Sequence, residues 1–212
     1  MSWKQKKESR DERGYHHGNL REALIDAALA LVTKKGPDGF TFAEAAREAG
    51  VSPAAPYRHF RDRDELVVEV ARRGFNRFAK RLNKAWNKGK PDALSALNAV
   101  GSAYLTFAKS DAALYNAMFE SGVSPDSERE LKIAADGAFE VIRKAAELVS
   151  EMIPEANRPP TLMVALHLWS QAHGIASLFA RGDAARRSLP MKPEELLEAG
   201  MLIYLDGLGV ER

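Results

Sequence analysis

The amino-acid sequence predicts an all-α protein of about nine helices. Its apolar residues recur at intervals of three and four, the period of an amphipathic helix, and no strand-like alternation of useful length interrupts them. Residues that favour helix starts precede these periodic segments, and glycine or proline follows most of them. Hydrophobic residues make up 45% of the chain and charged residues 28%, which is typical of a globular protein that buries a core.

The first two helices are defined by their boundary residues. Asn19 can cap the first helix, and Gly36-Pro37 ends it. Thr41 and Glu44 have the spacing of a capping box, so a short second helix begins there.

The later helices are predicted in the same way. Ser52 can cap a third helix over 53–60, with Pro53 at its first position, where proline is favourable. Asp62 caps a fourth helix over 63–88, which would span roughly 39 Å. Apolar periodicity then predicts helices over 92–109, 112–121, 126–151, 160–181 and 193–208.

Composition excludes several classes of protein. The chain has no cysteine, which excludes disulfides, thiolate metal sites and cysteine nucleophiles. No apolar run reaches the ~18–20 residues of a membrane span. The polar N-terminus does not resemble a signal peptide, so a cytoplasmic protein is expected.

Charge is distributed unevenly along the chain. Residues 1–91 carry 20 Lys/Arg and 12 Asp/Glu, a balance of +8, whereas residues 92–212 carry 11 and 17, a balance of −6. The basic front, which includes an N-terminal arm over 1–17, suggests contact with a polyanion. The alternative is that charge merely varies along the chain.

The segment 41–60 has the pattern of a helix-turn-helix. Small residues, Ala45, Ala46 and Ala49, stand where the two helices would cross, and Gly50 supplies the turn. The second helix of such a unit enters the major groove of DNA by its N-terminal residues. An αα-hairpin with a solvated polar face is the alternative. The candidate DNA-binding residues are Thr41, Ser52, Pro53, Ala54, Ala55, Tyr57, Arg58, His59 and Arg63.

Residues 18–66 contain a dense set of family-like motifs. They are Phe40-Thr41, Ala45-Ala46, Ala49-Gly50-Val51-Ser52, Tyr57-Arg58-His59-Phe60 and Leu66. With these motifs, the segment resembles the DNA-binding domain of TetR-family transcriptional regulators. The resemblance implies a DNA-binding domain over 18–66 and an effector-binding and dimerisation domain over 67–212. It also implies DNA contacts from the positions of Thr41, Tyr57, His59 and Arg63.

Two residues depart from the family's pattern. The family often has glycine where Ala54 stands and leucine where Pro56 stands. Pro56 lies near the fourth helical position and removes one hydrogen bond, so the third helix is expected to survive with a tilted first turn. Pro56 also favours the alternative function, a helical small-molecule-binding or interaction protein whose helix-turn-helix is vestigial.

The rear of the chain resembles one TetR C-terminal subfamily that carries a tryptophan–histidine–glycine motif. The matching segments are Trp169 to Gly174 and Ala113 to Phe119. Trp169 and His173 share a helix face, where they either line an effector cavity or pack in the core. A hydrophobic effector is expected, and its candidate contacts are Tyr104, Phe107, Met118, Phe139, Trp169 and His173.

Dimerisation is predicted through the last two long helices, because each carries an apolar stripe and closed two-fold pairing is the commonest oligomer. The stripes are Leu162, Leu166, Trp169, Ala172, Ala176 and Phe179 in one helix, and Leu197, Met201, Tyr204, Leu205 and Leu208 in the other.

An enzyme is not expected. Ser170 and His173 could touch, but a Ser–His hydrolase also needs an orienting acid and an oxyanion hole, and no G-x-S-x-G turn is present. His167 and His173 are six residues apart and point to different helix faces, so they make a poor metal pair. The sequence therefore predicts a regulator, usually a repressor in this family, without a metal or cofactor.

Overall fold

The computed structural model describes residues 20–180 and 190–210. This part of the chain forms eight α-helices and contains no β-strand. The predicted all-α class is confirmed, whereas the expected arm over 1–17 and the Asn19 cap lie outside the described residues. The helices are α1 Leu20–Lys35, α2 Phe42–Glu48, α3 Arg63–Trp86, α4 Ala93–Ser110, α5 Ala112–Phe119, α6 Arg129–Met152, α7 Thr161–Ala180 and α8 Pro193–Gly207.

The N-terminal head consists of α1, α2, the following turn and the start of α3. α1 buries one apolar face, including Leu24 and Ile25, neither of which is exposed. Phe40 and Phe60 close this small core, and each is 3% exposed. The predicted capping box is confirmed, since the Thr41 side chain accepts from the backbone N–H of Glu44 while the Glu44 carboxylate accepts from that of Thr41.

The prediction of a third helix over 53–60 is wrong. The structure has only a four-residue 3₁₀ turn, Ala55–Arg58, in its place. Two properties of Pro56 explain the difference: it has no N–H to donate, and it disfavours α-helical backbone at the residue before it. The backbone N–H groups of His59 and Phe60 still bond the Pro56 carbonyl, so the turn is well defined.

The long helix α3 joins the head to the rest of the described chain, α4 to α8, which together with the later part of α3 we call the rear domain. It packs against α4, α5 and α6 in the rear, and its first turns pack against α1. Asp62 caps it by accepting from the backbone N–H of Glu65, as predicted. Head and rear therefore share one continuous apolar core. Within the described residues, none of the helices combines the length and the apolar character that a membrane crossing requires.

Candidate DNA-binding surface and ligand cavity

The turn between α2 and α3, residues 49–62, displays polar side chains on the outer surface of the head. We call it the recognition turn. Pro56 is buried and Phe60 lies in the core, so these two residues anchor the turn from beneath. Most of the predicted contact residues therefore point outward. Ser52, Pro53, Ala54, Tyr57, Arg58 and His59 are exposed, and Ala55 is half-buried.

Tyr57 is held by its ring rather than by its hydroxyl. The residue is 64% exposed, and its ring packs edge-on against Phe42 of α2, with centroids 5.0 Å apart. Such a contact orients the side chain and leaves the hydroxyl at the surface. Tyr57 can thus present a hydrogen-bond donor to a phosphate oxygen.

The side chains of two predicted contact residues, Thr41 and Arg63, bond other groups of the head. The Thr41 hydroxyl takes part in the capping box and donates to Glu44 Oε2 at 3.1 Å. The Arg63 guanidinium donates to the carbonyl oxygen of Pro37, lies 3.3 Å from Asp38 Oδ1, and sits over the Phe40 ring. Arg63 therefore ties the start of α3 to the turn before α2, an internal role that its helix-start position did not reveal.

A cluster of charges joins α1 to α3 just behind the head. The side chain of Glu69 is only 8% exposed and accepts hydrogen bonds from Arg21, Arg72 and Arg73. Burial alone would raise the pKa of Glu69, but the three arginines hold it at about 2. Arg73 also pairs with Glu22 of α1. These ion pairs therefore tie α1 of the head to the long helix.

The rear domain contains an apolar cavity of about 430 Å³. Buried side chains form its floor, and three exposed residues, Pro125, Asp136 and Leu166, mark its mouth. Walls that are mostly apolar, with few polar groups, are typical of small-molecule sites. The remaining lining residues are Phe75, Phe78, Met118, Phe119, Val123, Ala135, Ala138, Phe139, Ile142 and Trp169.

A buried polar cluster lies behind the cavity wall. His173 Nδ1 is 3.0 Å from the Tyr104 hydroxyl oxygen and 2.9 Å from that of Tyr115, and the Trp169 indole N–H donates to the Tyr104 hydroxyl. Burial lowers the pKa of His173, which favours the neutral ring as the partner of the hydroxyls. His173 also contacts the wall residue Phe119, with ring centroids 4.9 Å apart.

The six predicted effector residues lie in three different places in the structure. Met118, Phe139 and Trp169 line the cavity, whereas Tyr104 and His173 form the polar cluster behind it. Phe107 is fully buried against Phe78 and lies away from the cavity. Sequence reasoning missed Phe75, Phe119 and Tyr115, although Tyr115 and Phe119 stand in the segment that carries the subfamily resemblance.

α5 connects this cavity to the head through one close contact. A Cβ atom added at Gly74 of α3 would lie 2.7 Å from Met118 Sδ and 3.3 Å from the Leu114 carbonyl oxygen, so the absence of a side chain at Gly74 makes room for Met118. Met118 also lines the cavity, and α5 packs against α1 as well as α3. A molecule that displaces Met118 would therefore push on the helix that carries the head.

The predicted dimer stripes are partly used within the protomer. Trp169 belongs to the cavity wall, and five other stripe residues face the protomer's own core because α7 and α8 cover α4. The large apolar residues that stay exposed on α7 and α8 are Leu162, Met163, Leu166, Leu178 and Ile203, which we call the apolar face. The five residues turned inward are Ala172, Ala176, Leu197, Met201 and Leu205.

Comparisons with known proteins agree with this architecture. The family described as "Bacterial regulatory proteins, tetR family" matches residues 24–70, and "Tetracyclin repressor-like, C-terminal domain" matches residues 97–203. The HTH-type transcriptional regulator BetI of Brucella anthropi is 30% identical over 118 residues, which are 54% of this chain and 61% of BetI. The chain thus spans less than two thirds of that relative.

Solved structures share the fold over nearly the whole chain. A Rhodococcus sp. RHA1 protein of unknown function has a TM-score of 0.75 at 29% identity, with 93% of this chain and 99% of that one covered. PfmR of Thermus thermophilus, a TetR-family transcriptional regulator, has a TM-score of 0.64 at 21% identity, with 89% and 99% covered. Among the described residues, no cluster of His, Asp or Glu is arranged to hold a metal ion.

Proposed function

Because this chain belongs to the TetR family of transcriptional regulators, which are not enzymes, we propose that it is a DNA-binding repressor released from its operator by a small molecule. The observation that carries this proposal is the pairing of an exposed recognition turn with an apolar cavity on one shared core. The vestigial alternative is not favoured, because Pro56 is a buried anchor of the recognition turn.

The recognition turn makes two kinds of contact with DNA, to phosphates and to bases. Tyr57 and His59 donate to phosphate oxygens, and Arg58 reaches a phosphate or a guanine edge. Ala54 and Ala55 are small enough to let the turn approach base edges or a thymine methyl group. Ser52, Pro53 and Thr41 lie beside the phosphate backbone, and Arg63 supports the surface from within.

Selection of bound sequences from a random DNA pool tests these roles. Tyr57→Phe and His59→Ala should each weaken binding to every duplex by about 1 kcal/mol, since phosphates carry no sequence information. Enlarging Ala54 or Ala55 to valine should instead change the selected sequence. A His59→Ala variant that selects different sequences at unchanged affinity would reverse the assignment.

The regulator acts as a homodimer in the compartment that holds the chromosome, the cytoplasm. The apolar face on α7 and α8 supports this pairing, because large apolar side chains exposed on two neighbouring helices are typical of interaction surfaces. Two copies of α7 and α8 form a four-helix interface. A dimer sets the spacing of its two recognition turns, which must match operator half-sites about one turn of DNA apart or a multiple.

The effector is a hydrophobic small molecule that occupies the cavity in the rear domain. Its entry displaces Met118, and α5 transmits the movement to Gly74 of α3 and to α1. The new angle of α3 alters the spacing of the recognition turns, so the effector weakens operator binding. By linkage, the operator weakens effector binding by the same factor.

Screening hydrophobic metabolites and drugs for a rise in melting temperature tests the cavity. Phe139→Ala enlarges the cavity and should change the affinity of a bound ligand. Ile133→Ala is the control, because Ile133 lies on the same helix but outside the cavity. A ligand whose affinity responds to neither variant binds elsewhere.

A further inference from the structure

The positive charge of the front half does not lie in the head. Residues 20–66 carry seven Lys/Arg and eight Asp/Glu, a balance of −1. Residues 67–91 carry eight Lys/Arg and one acid, a balance of +7, and residues 76–91 contain six Lys/Arg and no acid. Most of the excess therefore lies along α3 and just past its end, beyond the recognition turn, and residues 1–19 carry the remaining +2.

These cations form one continuous ridge. Arg77, Lys80, Arg81 and Lys84 recur at three and four along α3 and so share a face, and Lys88 continues the line past its end. We call these five residues the basic ridge. Lys80, Lys84 and Lys88 are exposed, and none of them forms an ion pair within the described residues.

One buried acid, Asp111, holds the two arginines of the ridge in place but does not balance the positive charge of the whole ridge. The side chain of Asp111 is 7% exposed and lies 2.9 Å from Arg77 and 3.2 Å from Arg81. Arg81 also donates to the Ser110 hydroxyl at 2.7 Å. Beside it, an open groove of about 360 Å³ runs between α3 and α4, with Lys84 and Thr106 on its walls. Two arginines are thus held in place, while the lysines stay free to bind.

The surroundings of the ridge indicate the kind of partner. None of the large exposed apolar side chains of the described residues lies on α3 or α4. A membrane-binding helix needs an apolar face beside its cations, and a protein interface needs buried apolar or aromatic anchors. A row of cations without apolar neighbours suits the phosphate backbone of duplex DNA, which carries a charge for about every 1.7 Å of its axis.

The basic ridge lies too far from the head to contact the duplex that the head binds. At 1.5 Å per residue, Arg77 and Lys84 lie about 21 and 32 Å along α3 from Arg63, at the head. DNA is stiff, with a persistence length of about 50 nm, so the operator would not fold back over this distance. We propose that the basic ridge binds the phosphate backbone of a second duplex while the head occupies its operator.

A two-duplex capture experiment tests this inference, which rests on the proposed function only for the duplex in the head. The protein is bound to an immobilised duplex selected by its own head, and a labelled non-operator duplex of about three turns is added. Wild-type protein should capture the second duplex. The double variant Lys80→Gln/Lys84→Gln should flatten the log–log salt slope of this capture by about 1.8, about 0.9 for each phosphate.

Matched variants separate charge from structure. Lys80→Arg/Lys84→Arg keeps both charges and should capture like the wild type. Lys132→Gln/Lys144→Gln removes the same charge from α6 and should also capture like the wild type, because these lysines already pair with surface acids. Both mutated ridge lysines are exposed and form no ion pair within the described residues, so melting temperatures should not change.

Three results would overturn the proposal. Capture by the glutamine double variant that equals the wild type would show that the ridge binds no DNA. An equal loss of operator affinity would show that the ridge touches the same duplex as the head. A lower mass of the variant in light scattering without DNA would show that the ridge binds a second copy's acidic rear. If the head itself binds no duplex, the ridge is still tested by residual binding of free non-operator DNA.

Discussion

Two tyrosines show how differently the head and the rear domain present their functional groups. Tyr57 in the head is 64% exposed and its ring packs against Phe42, whereas Tyr104 in the rear is 1% exposed and bonds His173 and Trp169. In the head, binding groups are added to a surface that is stable without them. In the rear, the groups beside the cavity also hold the core together. Substitutions should therefore separate binding from stability at the recognition turn but not beside the cavity.

The largest contrast is expected between two neighbouring residues of α8. Met201 is 5% exposed inside the protomer, and Ile203 is 74% exposed on the apolar face. Met201→Asp should cost at least about 3 kcal/mol of unfolding free energy, because it buries an unpaired charge. It is thus a test of folding and not of assembly.

Ile203→Asp should split the dimer while each protomer stays folded, because it places a charge on the apolar face without disturbing the protomer's core. Operator affinity should fall at least about a hundredfold, since two linked half-sites bind far more tightly than one. Light scattering at micromolar concentration checks the mass. An Ile203→Asp protein that keeps the mass of two chains would place the interface elsewhere.

The charge cluster around Glu69, which joins the head to the long helix, should show the next largest effect on stability. Glu69→Gln should lower the unfolding free energy by about 2 kcal/mol, less than the ~3–5 kcal/mol of a fully buried pair, because the arginines are 31–41% exposed. Glu140→Gln is the control, since that carboxylate pairs with Arg143 at the surface and should cost under about 0.5 kcal/mol.

The same carboxylate should affect acid stability. The pKa of Glu69 is lowered from 4.5 to about 2 in the folded protein, so its stabilising contribution is complete above pH 4.5 and is lost as pH falls toward 2. The difference in unfolding free energy between wild type and Glu69→Gln should therefore shrink over this pH range. Denaturant titrations at several pH values measure it, and a constant difference would contradict the assignment.

The two tyrosines give a smaller and more direct comparison. Tyr104→Phe leaves the Trp169 N–H without its acceptor and should cost about 1–3 kcal/mol of stability, with operator affinity unchanged while the protein is folded. Tyr57→Phe should leave stability within about 0.5 kcal/mol and weaken DNA binding about fivefold. A stability loss in Tyr57→Phe would remove the distinction between the two regions.

The sequence predicted the head better than the cavity, and the reason is physical. Helix caps at Thr41 and Asp62 depend on neighbours within a few residues, so local spacing identified them. Cap spacing predicted an α-helix where the structure has the 3₁₀ turn Ala55–Arg58, because Pro56 disfavours α-helical backbone at the residue before it and caps do not report this effect.

The cavity walls come from five separate parts of the chain, α3, α5, the following turn, α6 and α7. Periodicity shows which residues are buried but not which of them meet, and so Phe107 and Phe119 could not be told apart. Similarly, periodicity could not show that Met201 faces the core and Ile203 faces outward, because their orientation depends on how α8 packs against α4 and α7.

The central claim is that the cavity and the recognition turn are coupled through α3 and α5. The most direct measurement is the affinity of the protein for its selected operator, titrated with a ligand whose binding responds to Phe139→Ala. We expect operator affinity to fall by roughly 5–150-fold, a coupling of ~1–3 kcal/mol, and ligand affinity to fall by the same factor when operator is present. Operator affinity that stays constant while this ligand saturates the cavity would contradict the claim.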